Sequence, residues 1–189
     1  MKSESRKEEI IRAASILFKE KGYSAVTMRD LAKAMGIKAA SLYNHIDSKQ
    51  EILSTIIIEL AEEFTTGMNQ IVNSKVDAIK KLENIIDLHI DVTLRNSDGL
   101  ASLNNDWMHL EEKNLQYFEK MRQEYEENFR AIVKNGVDRE EIKPFNIEIM
   151  VFSTLSTLRT LYLWYPKQKN IDAEILKHDM ISVLLKGMV

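Results

Sequence analysis

Cysteine is absent from the 189 residues, and there are only two prolines and six glycines. Without thiols the chain can form no disulfide, thiolate nucleophile or thiolate metal site, which fits a reducing compartment. Proline and glycine interrupt helices and build β-turns, so their scarcity points away from a strand-rich chain and towards an all-α one. No uncharged apolar run approaches the roughly 20 residues that a membrane-spanning helix needs. The first nine residues are charged, and Arg12, Lys19 and Lys21 interrupt the apolar residues that follow, so no secretory leader is expected. These exclusions predict a cytoplasmic protein with no membrane association. What remains is 44% hydrophobic, enough to fill a core and to argue against disorder.

Charge is distributed unevenly. Residues 1–50 carry ten Lys and Arg against six Asp and Glu, whereas residues 51–189 carry sixteen against twenty-three. A basic end on an acidic body is the pattern of a nucleic-acid-binding head, although such imbalances also arise in unrelated soluble proteins.

Helix starts are marked by capping boxes, in which a Ser or Thr oxygen and an acidic side chain satisfy each other's exposed amides. Ser5-Arg6-Lys7-Glu8 predicts a first helix with Ile10, Ala14, Leu17 and Phe18 on its apolar face, ending at Gly22. Thr27-Met28-Arg29-Asp30 predicts a short second helix closed by Gly36, and a third is expected over 38–45. Ser48-Lys49-Gln50-Glu51 opens a long fourth. Apolar spacing predicts further helices near 75–95, 99–109, 111–135, 146–164 and 172–187, with breaks at Asn96–Gly99, Asn135-Gly136, Lys143-Pro144 and Tyr165-Pro166. The expectation is about nine helices in two domains: a three-helix DNA-binding head, 1–47, and a helical ligand-binding and dimerisation domain, 48–189.

Two short helices around a glycine turn are the sequence form of a helix-turn-helix. Gly36 supplies the left-handed backbone of the turn, and Leu31, Ala32, Ile37 and Leu42 the shared core. The second helix of such a pair must be slim enough for a groove about 12 Å wide. Ala39, Ala40 and Ser41 meet that condition. The alanines suit thymine methyls, and Lys38 suits a guanine edge. Thr27, Tyr43, His45 and Lys49 are donors suited to phosphate, and Arg29 to phosphate or base. Alone, each has a plainer reading: Tyr43 as a surface aromatic, His45 as a cation at a helix C-terminus. The plainer readings do not explain why small residues are flanked by donors on both sides.

The run from Phe18 to Ala32 (FKEKGYSAVTMRDLA), followed by Gly36 to Leu53 (GIKAASLYNHIDSKQEIL), resembles the signature of the TetR/AcrR regulators over about the first 55 residues. Ile46 stands where that family usually has Phe, and Asp47 where a basic or neutral residue is frequent; the latter would trim phosphate affinity. The resemblance implies a repressor that binds a palindromic double-stranded DNA operator as a homodimer, pairing through 146–164 and 172–187. It places the DNA contacts on Thr27, Arg29, Lys38, Ala39, Ala40, Ser41, Tyr43, His45 and Lys49. Asn105-Asp106-Trp107-Met108-His109-Leu110 and Leu161–Pro166 further resemble regulators of fatty-acid and sterol breakdown, several of which sense acyl-coenzyme A thioesters.

That resemblance implies an apolar or acyl-coenzyme A-like effector. The candidate pocket residues are His89, Trp107, His109, Phe118, Met121 and Phe152. Each is equally readable as core packing, and a lone histidine as a hydrogen-bonded core residue. Two other classes compete with this one. A DNA-binding regulator without a ligand is the nearer. A helical metalloprotein would repeat an acidic-x-x-His pair on two helices, but Asp106-x-x-His109 is the single example here. Neither a Gly-x-Ser-x-Gly elbow nor a phosphate-cradling glycine loop is present. No catalytic residues, metal or cofactor are therefore expected.

Overall fold

The computed structural model describes residues 5–186 and 188. Among them are eight α-helices and three short 3-10 turns, with no strand. They fall into two compact bodies, residues 5–61 with 98–119, and residues 62–97 with 120–186 and 188.

In the first body α1 (Arg6–Lys21) begins at Ser5, whose hydroxyl accepts from Glu8 N while the Glu8 carboxylate accepts from Ser5 N. A 3-10 turn (Tyr23–Ala25) leads to α2 (Met28–Ala34), capped reciprocally by Thr27 and Asp30. Gly36 has φ 66°, left-handed backbone that costs a side-chain-bearing residue about 1 kcal/mol or more, and the chain then turns into α3. That helix spans only Ala39–Leu42. The expected extension through His45 is replaced by a turn in which both His45 N and Ile46 N donate to Leu42 O.

The fourth helix, α4, covers Lys49–Asn73. Its first turn is tied down by Glu51, whose carboxylate accepts from Asp47 N at 2.7 Å and pairs with Lys7 of α1 at 2.5 Å. Ile10, Ala14, Leu42, Ile52, Leu53 and Ile57 are wholly buried in this body.

The second body is built from the rest of α4, from residues 78–97 of α5 (Ala78–Asn105) and 120–138 of α6 (Glu112–Asp138), and from α7 (Ile147–Trp164) and α8 (Ala173–Leu185). Its centre is Ile85, Ile86, Ile90, Phe129 and Val133. The break that the sequence predicts at 96–99 is present: Asn96 adopts φ −146°, ψ 53°, and α5 is two helical stretches joined across a kink there.

Asn135-Gly136, by contrast, does not end a helix, since α6 continues to Asp138. A Cβ on Gly136 would sit 2.5 Å from Ile142 Cδ1 and 2.7 Å from Ala78 Cβ, so this glycine serves close packing. The chain reverses after it, around Glu140 at φ 61°. Ion pairs link the elements of this body: Arg159–Glu126 at 2.7 Å, Arg130–Glu148 at 2.8 Å and Lys177–Asp91 at 2.7 Å. On α7 and α8, Ile149, Phe152, Leu163, Ile175 and Val183 are exposed, Phe152 and Val183 by more than 70%. No helix among the described residues is long and apolar enough to cross a membrane.

Candidate nucleic-acid interface

The reading pair is α2 and α3, held by Leu31, Ala32, Leu42 and Ile46, each 3% exposed or less. With those residues inward, Arg29, Lys38, Ala40, Tyr43, Asn44 and His45 are exposed, while Ala39 and Ser41 are half-buried. Tyr43 is 52% exposed although it is a large aromatic. Thr27 is exposed, but its hydroxyl is engaged with Asp30, accepting from the backbone N at 3.2 Å and donating to the carboxylate at 2.5 Å. The hydroxyl and the Thr27 backbone N–H, which also donates to the carboxylate at 2.9 Å, hold the Asp30 carboxyl below its usual range. A short α3 of small residues is therefore presented to solvent beside cations and hydroxyls. This arrangement can insert into a groove and touch base edges while its flanks meet phosphate.

Lys49 differs from the other predicted contacts. Its ammonium donates to Tyr23 O at 3.0 Å and Val26 O at 2.9 Å, and lies 4.1 Å from the Tyr23 ring centroid. Two of its three protons are spent inside the protein.

The candidate ligand residues do not share one body. Trp107 and Phe118 lie in the first, rings 5.8 Å apart. His109 is also there, exposed and stacked on Tyr23. His89 and Met121 belong to the second, and both are buried. His89 Nε2 is 2.9 Å from the Tyr125 hydroxyl, and its ring packs on Phe64 at 4.7 Å. Burial, with a smaller contribution from Arg159, lowers the His89 pKa to about 3, so it is neutral at physiological pH. Phe152, also in the second body, is 72% exposed, not interior as the sequence reading placed it. Helix α7 is apolar on both sides, so its periodicity could not choose the buried face.

Among the described residues no three His or carboxylate side chains come together as a metal site. Tyr125, which satisfies His89, is not singled out by the sequence, and Asp106 stands out there only through its spacing to His109, not as a carboxylate on Tyr23. Both contacts are made across dozens of residues, and nothing in the local pattern announces them.

Two family models match the chain. Residues 10–56 match the bacterial regulatory proteins of the tetR family, and residues 75–188 the tetracyclin repressor-like C-terminal domain. The transcriptional repressor KstR2 of Rhodococcus jostii is 24% identical over 185 residues, covering 97% of this chain and 91% of that one. The structure of the ketosteroid transcriptional regulator KstR2 of Mycobacterium tuberculosis superposes with a TM-score of 0.92 at 19% identity, over 100% of this chain and 97% of that one. AibR, in complex with isovaleryl coenzyme A and operator DNA, gives a TM-score of 0.79 at 19% identity, over 95% of this chain and 97% of that one. At such identities the structural likenesses speak for the fold alone. The family models span both the reading pair and the helices behind it, and on that basis the chain belongs to the TetR family of DNA-binding transcription regulators.

Proposed function

We propose that this protein is a cytoplasmic, homodimeric repressor released from a palindromic operator by an apolar or acyl-coenzyme A-like effector. The observation that carries the reading is α3, a helix of small residues set beside exposed Arg29, Lys38, Tyr43 and His45. In a two-fold dimer two such helices enter successive major grooves, about one helical turn apart or slightly more. Ala39, Ala40 and Lys38 read base edges; Arg29, Ser41, Tyr43 and His45 hold the backbone, and Thr27, its donors engaged by Asp30, caps the helix that carries Arg29. The DNA-binding domain is residues 1–47, and residues 48–189 bind effector and pair the protomers. Pairing through 146–164 and 172–187 would cover Ile149, Phe152 and Val183, which a lone protomer leaves wet.

The effector reading draws on the coenzyme A ester bound by AibR and the ketosteroid regulator named above. Its candidate contacts are taken body by body: Trp107, His109 and Phe118 in the first, His89 and Met121 in the second. Phe152 belongs to the pairing face instead. An effector weakens DNA binding only as far as it prefers the DNA-incompetent conformation. The test is to select a duplex from a random pool with the full chain, then titrate acyl-coenzyme A esters of increasing chain length. Selection of a two-fold-symmetric site and its release by an ester are expected. Failure to retain any duplex sinks the reading, whereas binding indifferent to every ester leaves a constitutive repressor.

A further inference from the structure

Tyr23 lies in the turn between α1 and α2, just ahead of Thr27, the cap from which the reading pair begins. Side chains remote in sequence meet on it. Its N–H donates to the Asp106 carboxylate, and its carbonyl accepts from Lys49 Nζ at 3.0 Å. The His109 ring stacks on its ring, centroids 5.4 Å apart and planes 29° off parallel. His109 Nε2 is 3.5 Å from Ser24 Oγ, and the His109 carbonyl accepts from Gln50 at 2.6 Å. Asp106 is only 8% exposed, and burial raises its pKa, so holding a carboxylate there costs free energy that the amide contact partly offsets.

Helix packing does not require such an arrangement. It fixes the direction in which one short turn leaves α1, and through the Thr27 cap it fixes where α2 and α3 point. Residues 98–110 are the far side of the clamp, with Lys19–Asp98 at 2.8 Å as a further tie. The only non-helical backbone within α5, at Asn96, stands two residues before this segment.

We propose that Lys49, Asp106 and His109 are positioning residues for DNA binding. They set the attitude of the reading pair through the Tyr23–Val26 turn, and 98–110 is the strap that holds that turn. Lys49 thus strengthens DNA binding from inside the protein, without touching phosphate. The inference rests on the DNA-binding reading above, and the test separates the two.

Full-length Lys49→Met, His109→Ala and the double variant are compared with wild type on the selected duplex. Arg29→Ala serves as the phosphate-contact control. Both single variants should weaken Kd about tenfold, the scale of a coupling of 0.5–2 kcal/mol, and the double variant should add little more. Their slope of log Kd against log salt should match wild type, whereas Arg29→Ala should lose about 0.9 per lost phosphate contact. Without DNA, amide exchange at Tyr23–Thr27 should quicken in His109→Ala. A Lys49→Met slope reduced like that of Arg29→Ala would overturn the assignment of Lys49. Wild-type Kd and exchange in His109→Ala, whose side chain is exposed and removable without unfolding, would overturn the strap. Wild type that binds no duplex, yet shows the exchange difference, would sink the DNA reading while leaving the clamp.

Discussion

Lowering the pH should destabilise this protein through one side chain, His89. In the folded chain the imidazole is 6% exposed, packed on Phe64 and bonded to Tyr125, and its pKa is pushed down to about 3. In the unfolded chain it returns to roughly 6.5. Below that value the unfolded state takes up a proton that the folded state refuses, so His89 favours folding above pH 6.5 and loses this contribution as pH falls towards 3. The slope is up to about 1.36 kcal/mol per pH unit, or roughly 2 kcal/mol between pH 6.5 and 5. For a chain of this size that is on the order of 4–8 °C in melting temperature.

Denaturant melts at pH 5, 6, 7 and 8 should be made on wild type and His89→Gln, which keeps a hydrogen-bonding group near Tyr125 but cannot titrate. Asp87 and Asp106 have carboxyls raised chiefly by burial. Their stabilising contributions are present at low pH and lost as pH rises through their folded values, the opposite direction to His89. Both variants contain them, so the difference between the two curves reports His89 alone. Parallel curves from pH 6.5 to 5 would refute the reasoning.

Gly136→Ala should destabilise by about 1–3 kcal/mol in denaturant melts, because overpacking against Ile142 and Ala78 outweighs the helix-propensity gain of about 1 kcal/mol. Gly36→Ala, at φ 66°, should cost about 1–2 kcal/mol and weaken duplex binding beyond any change in melting temperature. Phe152→Glu with Val183→Glu should turn a dimer into a monomer in light scattering while circular dichroism keeps the helix content; an unchanged mass would refute pairing through α7 and α8.

Local signals were the legible ones. Ser5 with Glu8 and Thr27 with Asp30 form the capping boxes their spacing predicts, and Gly36 takes the positive φ its place between two helices requires. Spacing and small-residue content likewise placed Arg29, Lys38 and Tyr43 where they stand exposed. Competition between local and tertiary terms was not legible. Asn135-Gly136 reads as a turn because both residues favour one, but the space beside Ile142 and Ala78 admits only glycine inside a helix. The segment after Leu42 reads as helix, but its amides bond in turn fashion. Lys49 looks like a phosphate donor by its place in the sequence, and only the fold brings the carbonyls of Tyr23 and Val26 within its reach.

The kink at Asn96 has a consequence for how such a protein can change over generations. An unbroken α5 of 28 residues would be a stiff shaft about 42 Å long, in which a substitution that tilts one end tilts the other. With the helical geometry broken at Asn96, mutations that repack residues 78–95 need not carry residues 97–105 with them.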